Sequence, residues 1–312
     1  MPLFVACLAA ALALFFSAVL PLAGTLSLVT PLPIAFCYWR QRRAGVAVVL
    51  AGTLVVALPG GAEWGGAAMM SFLELGAAGV VLGELARRKA GPGLSLTLAL
   101  LAAVAAAVGF LLVHAAFFGG QSLFGLVQGY QRQAMADLSA NLVSLGYGPD
   151  SGLNDALAGL SLLLPSMLLL SVGSVLWLNI VLLRKLAVVM SKRLGKSLDE
   201  DLAEWPDFRC WRAPEPLIWL PIAAGALSLI PDATARLVGM NVLAVAAVIY
   251  FVQGLAIAAF YLGKTRLPRP LRFVTYAALI FYLYLSLAVV AAGLFDLWID
   301  FRRLKRAAVE EA

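Results

Sequence analysis

The stretch SLTLALLAAVAAAVGFLLVHAAFF, residues 95–118, contains no Asp, Glu, Lys or Arg. At 1.5 Å per residue it makes a helix about 36 Å long, enough to cross a hydrocarbon core of roughly 30 Å. The rest of the chain has the same character: 62% of its 312 residues are apolar and only 13% are charged. Soluble domains run near 45–50% apolar and about 25% charged, so a water-facing version of this chain would carry large apolar patches and aggregate. Lipid tails must be part of its solvent, and the expected fold is all-α, a polytopic transmembrane helical bundle.

Further apolar runs fall at 44–59, 66–86, 154–184, 216–232, 237–262 and 272–298, and 3–38 is apolar but interrupted by Pro21, Gly24, Pro31 and Pro33. Together they predict about eight spans in a single integral membrane domain covering residues 1–312. Met1–Phe4 lacks the basic start of a cleavable signal, so the first stretch is read as a retained helix. Cys7, Cys37 and Cys210 are widely spaced, which speaks against a disulfide framework or a zinc site.

Lys and Arg orient the spans. They cluster at Arg40/Arg42/Arg43, Arg87/Arg88/Lys89, Arg184–Arg212, Lys264–Arg272 and Arg302–Arg306. Placing the first three clusters in the cytoplasm leaves the connections 60–65 and 119–153 outside with Arg132 as their basic residue, in keeping with the positive-inside rule of a bacterial inner (cytoplasmic) membrane. The net charge of +6 is thus topogenic, and no nucleic-acid partner is expected. The C-terminal part is harder, because a simple crossing after Lys264–Arg272 would export Arg302–Arg306. Either 216–232 is half-inserted or 271–301 folds back as a broken hairpin, and a cytoplasmic C-terminus is the preferred solution.

Two segments do not span. Leu123, Val127, Tyr130, Ala134, Leu138, Leu142 and Leu145 recur every three or four residues, which predicts an amphipathic helix on the outer surface, in the extracytoplasmic loop 121–153. Residues 184–215 are first basic, then acidic (Asp199, Glu200, Asp201, Glu204), and read as a helical extension followed by a cytoplasmic loop.

Ionisable groups at membrane depth are costly and so are candidate functional groups. Glu74 lies about 12 Å along span 66–86 from its outer end, with no cation within a turn, and is a candidate protonatable or cation-binding carboxyl. Glu84 precedes Arg87 and Arg88 at i+3 and i+4, an interfacial ion pair. Gly79 and Gly83 form a small-xxx-small pair for close helix packing. Asn179, Asn241, Tyr250 and Gln253 complete a candidate ligand-lining set with Glu74. His114 stands alone and is read as a hydrogen-bonding residue, with no metal site and no cofactor expected. Gly263-Lys264-Thr265 mimics the end of a P-loop, but Ala258 stands where its first glycine is required, and neither HExxH nor GxSxG occurs. Catalysis is not expected.

Asn241, Phe251-Val252-Gln253-Gly254-Leu255-Ala256, Leu267-Pro268 and Gly293–Arg302 together resemble the YybS-like family of bacterial multi-pass membrane proteins. That family is remotely similar to the substrate-binding S components of energy-coupling-factor transporters and to MreD-like shape proteins. The resemblance implies no substrate and therefore no binding residues. Within Gly293–Arg302 the spacing of Asp296, Asp300, Arg302 and Arg303 predicts an interfacial charge network where a helix leaves the bilayer. The leading functional expectation is a small-solute binding or transport subunit without its own ATPase. The alternative is a cell-envelope scaffold or assembly protein acting through its cytoplasmic loop and basic tail. Its expected partners are the lipid bilayer and a membrane or cytoplasmic protein.

Overall fold

The computed structural model describes residues 29–40, 46, 49, 65–118, 123–144, 146, 151–194 and 208–303. Every regular element among them is helical: α1 (Pro31–Arg40), α2 (Gly65–Arg87), α3 (Pro92–Phe118), α4 (Leu123–Ser144), α5 (Ser151–Leu194), α6 (Trp219–Ser228), α7 (Ala233–Lys264), α8 (Arg269–Phe281) and α9 (Leu283–Ile299), with short 3-10 turns before α6. The chain forms two compact units. Unit 1 holds Met1–Leu142 and Leu168–Trp205, and unit 2 holds Val143–Met167 and Pro206–Ala312.

In unit 1 the core is built from small and branched side chains, Ala35, Ala78, Leu82, Ala103 and Leu176 among them. Small residues let backbones meet where lipid offers no hydrophobic drive for association. A Cβ on Gly79 would sit 2.9 Å from the Pro31 carbonyl oxygen, and one on Gly83 would sit 2.7 Å from that of Ala35. The glycine face of α2 is thus the seat of α1. Glu84 pairs with Arg88 at 2.8 Å and, more loosely, with Arg87 at 3.9 Å. Arg87 also donates to the Trp39 carbonyl at 3.1 Å, tying the ends of α1 and α2 together. The α2–α3 turn closes with Lys89 in the left-handed region (φ 54), while Lys89 and Ala90 donate back to Ala86 and Leu85. That is the Schellman arrangement, with lysine where glycine is usual.

Helix α4 matches the segment read as amphipathic. Gln131, Met135, Leu138, Ser139 and Leu142 are half-buried, whereas Arg132, Gln133, Ala136, Asp137, Ala140 and Asn141 are exposed. The spacing of the buried set is helical.

Unit 2 is organised around α7. Asp232 caps it, accepting from the Ala235 amide at 2.7 Å. Helix α6 packs antiparallel to its first half, and a Cβ on Gly239 would lie 2.6 Å from the Ser228 nitrogen. Helix α9 runs in the same direction as α7. Gln253 meets Asp296, Tyr261 reaches the Phe301 carbonyl, and Arg302 reaches Arg209, whose guanidinium lies against Gly263. The two helices touch through glycines: a Cβ on Gly254 would overlap the Val289 carbonyl, and one on Gly293 would overlap that of Tyr250. Between them, α8 and α9 meet at a 90° bend at Tyr282. The Ser286 hydroxyl lies 3.0–3.2 Å from the carbonyl oxygens of Leu279 and Ile280, which the bend frees from the regular ladder, and of Tyr282, which also accepts the Ser286 amide at 2.9 Å. The chain therefore returns Arg302 to the end of unit 2 that holds Lys264.

The expected count of about eight crossings is not supported. Among the described residues three helices are long and apolar enough to span, at Pro92–Ala116, Gly159–Val189 and Ala233–Lys264, and the bent pair α8–α9 makes a fourth if taken as one. Helix α2, expected as span 66–86, is long enough but carries Glu74, Glu84 and Arg87. The run 216–232 contains a ten-residue helix, about 15 Å long and too short to cross alone. The run 44–59 lies outside the described residues apart from Val46 and Val49, and 3–38 is described only from residue 29.

Candidate functional site

Carboxylates seldom sit in a helical interior unless paired, and Asp296 shows how one is held there. It is wholly buried on α9. One carboxylate oxygen accepts from Arg302 at 2.8 Å and from the Gln253 side-chain amide at 3.2 Å. The other accepts from the Phe301 backbone amide at 3.0 Å. This last bond is possible because Asp300 ends α9 in the left-handed conformation (φ 46, ψ 58) and turns the chain back. Asp is among the few residues other than glycine that visit this region at modest cost.

Arg302 follows the turn inward. Its side chain is fully buried, and besides Asp296 it donates to the carbonyls of Arg209 at 2.7 Å and Trp211 at 2.9 Å. Arg212 repeats the motif one layer out, donating to the Asp296 carbonyl at 2.6 Å and lying 3.8 Å from the Asp300 carboxylate. Gln253 closes the arrangement from α7, its oxygen accepting from the Ala213 amide at 3.1 Å. One carboxylate, two arginines and one glutamine thus fasten α7, α9 and the segment 208–213 together. The charge-assisted bonds run mostly to backbone groups, so the cluster fixes shape, although the Nε–H groups of Arg212 and Arg302 are buried without a hydrogen-bond partner.

A second polar device lies at α5. Pro165 sits inside that helix. Asn241 of α7 accepts from the Ser166 amide at 2.8 Å and donates to the Leu162 carbonyl at 2.7 Å. Those are the two groups that a regular helix would pair with each other. The asparagine side chain is inserted into the ladder beside the proline, one of the recognised ways a spanning helix tolerates such a break.

A family model described as Predicted membrane protein (DUF2232) matches residues 7–297. The chain belongs to that family. No curated protein and no solved structure matches it. The matched range takes in Gln253, Gly254, Gly293 and Asp296, while Arg302 lies just beyond it.

The five residues expected to line one ligand site do not share one unit. Glu74 and Asn179 belong to unit 1, and Asn241, Tyr250 and Gln253 to unit 2. Glu74 is half-buried on α2. Asn179 is buried, its amide donating to the Val175 carbonyl one turn earlier at 2.7 Å. Asn241 and Gln253 spend their polar atoms on α5, Ala213 and Asp296. Tyr250 is 1% exposed, and its buried hydroxyl has no hydrogen-bond partner. His114 is half-buried near the Phe110 ring, 6.1 Å between centroids. The network expected at Asp296, Asp300, Arg302 and Arg303 takes a different form. Its central pair, Asp296 with Arg302, is buried among the helices, Asp300 faces Arg212, and Arg303 is exposed. The sequence reading missed Arg212, Arg209 and Trp211, which are distant in sequence from Asp296. Their available signal was a basic-aromatic run, FRCWR at 208–212, beside an apolar helix.

Proposed function

We propose that this DUF2232 protein is a multi-pass inner-membrane subunit that acts by association, a cell-envelope scaffold or assembly protein presenting the basic end of unit 2 to a protein partner. The observation that supports this reading is the Asp296–Arg302–Gln253 lock, which holds three chain segments at one end of unit 2. Exposed Arg209, Lys264, Arg266, Arg269 and Arg303 surround it. A rigid cationic platform loses little conformational entropy when an acidic partner docks. The positive-inside rule puts that end in the cytoplasm, with α8–α9 as a fold-back in place of a full crossing.

The test is site-specific photo-crosslinking in native membranes from Arg266, with Leu229, at the opposite end of α6–α7, as the reference. One discrete protein adduct from position 266, lost on joint Arg269→Glu and Arg303→Glu substitution, is the expected result. The same adduct pattern from both positions would defeat the reading, as would tags at Lys89 and Arg303 reporting from the periplasm.

A second reading keeps one observation of its own. Half-buried Glu74 on α2 suits a small-solute binding or transport subunit, in line with the resemblance to YybS-like proteins and coupling-factor S components. Ligand-dependent thermal stabilisation that disappears in Glu74→Gln would favour it over the scaffold.

A further inference from the structure

In unit 2 the segment 208–228 runs against α7 in the opposite direction, from one end of its apolar run to the other. The Arg209 guanidinium lies against Gly263, and the Ala213 amide donates to Gln253 at 3.1 Å. Further on, a Cβ on Gly239 would meet the Ser228 nitrogen and the Ala224 carbonyl oxygen. Gly239 and Gly263 are 24 residues apart (263 − 239), about 36 Å of helix, more than a hydrocarbon core of roughly 30 Å. Helix α7 is apolar enough to span, so its companion follows it through the same depth. The ten residues of α6 cover about 15 Å of that path. The rest is irregular: a 3-10 turn at Phe208–Cys210, no helix at 211–214, and a second 3-10 turn at Glu215–Ile218.

Lipid tails offer irregular backbone no hydrogen bonds, so it lasts at membrane depth only where protein or water supplies them. Here protein supplies them. Arg302 takes the carbonyls of Arg209 and Trp211, Gln253 takes the Ala213 amide, and the Leu217 amide closes on the Pro214 carbonyl at 3.0 Å. Pro214 and Pro216 have no N–H to satisfy. We infer that residues 208–228 cross the bilayer as a discontinuous span, an irregular half fastened to α7 and α9 followed by the helical half α6. Arg302 and Gln253 are the positioning residues that hold the irregular half at depth. The two antiparallel crossings, 208–228 and α7, bring Phe208 and Lys264 to one side of the membrane and leave Leu229 on the other.

The experiment uses the full chain in native membrane vesicles of both orientations, with Cys7, Cys37 and Cys210 replaced by alanine and one new cysteine at a time. Phe208→Cys and Leu229→Cys, both at exposed positions, should react with a membrane-impermeant maleimide from opposite sides. Phe208→Cys should share the side of Arg266→Cys. Ala213→Cys, at a buried position, should resist a small permeant thiol reagent. It should react about tenfold faster after Arg302→Met or Gln253→Leu, the opening that one lost hydrogen bond allows. Asn241→Ala, which loosens α7 elsewhere, should leave that rate as it was. Labelling of Phe208→Cys and Leu229→Cys from the same side would overturn the inference. So would an Ala213→Cys rate that neither Arg302→Met nor Gln253→Leu raises, or that Asn241→Ala raises equally. If Ala213→Cys does not fold, the sidedness of Phe208→Cys and Leu229→Cys decides.

Discussion

Replacing Arg302 with methionine removes the cation but keeps much of the side-chain volume. Breaking a buried ion pair by deleting one member costs about 3–5 kcal/mol, because the other charge is left uncompensated. Arg302→Met should fall at the upper end of that range, since it also strands the carbonyls of Arg209 and Trp211. Asp296→Asn should fall at the lower end, since its remaining oxygen can still accept from Phe301. Combining the two should cost less than their sum by roughly 1–3 kcal/mol, the coupling expected of residues in one network. Thermal unfolding in detergent, followed by the fluorescence of the seven tryptophans, reads the result. At about 2–4 °C per kcal/mol, Arg302→Met should lower Tm by roughly 10–15 °C. Trp211, whose carbonyl Arg302 binds, should respond first. Additive single effects, or a Tm drop of only a degree or two, would show that the pair is not a buried unit and refute the reasoning.

Other outcomes follow from the same contacts. Gly293→Ala places a methyl group on the Tyr250 carbonyl and should destabilise by at least about 1–3 kcal/mol, whereas Gly173→Ala on α5, where a Cβ meets nothing within 4 Å, should be tolerated when both are scored by yield and Tm. Asn241→Ala leaves the Ser166 amide and Leu162 carbonyl unmatched and should cost about 1 kcal/mol. Adding Pro165→Ala should recover most of that loss by letting α5 close its own ladder, and a double substitution no better than Asn241→Ala would refute the account.

The helices were easier to read in the sequence than their arrangement. Runs such as 95–118 and 237–262 announce themselves because apolarity over twenty residues has few other solutions. The helix α4 was legible from its spacing, and Leu138 and Leu142 of its expected face are half-buried. The bend at Tyr282 was not: neither Pro nor Gly marks it, and the serine that satisfies its carbonyls lies four residues on. Charge counting had left the C-terminus with two alternatives, a half-inserted 216–232 or a folded-back 271–301, and the structure contains both a short α6 and a bent α8–α9. The pairing of Asp296 was hidden for a related reason. Spacings of three and four predict partners on one helix surface, but its partner is six residues away, across a left-handed turn at Asp300. A single asparagine opposite a proline 76 positions earlier (241 − 165) is likewise invisible until the helices meet.

The position of the Arg302 latch late in the chain constrains how the protein can be made. Synthesis runs from the N-terminus, so α7 enters the bilayer with Gln253, Tyr250 and the 208–213 segment in place but unfastened. Only when residue 302 has emerged can the arginine swing back onto Asp296 and seal the three strands of chain. Until then Gln253 and the 208–213 segment must wait without their final company, an interval in which an insertion factor or a protease would find them open, whereas Asp296 is made only six residues ahead of its arginine.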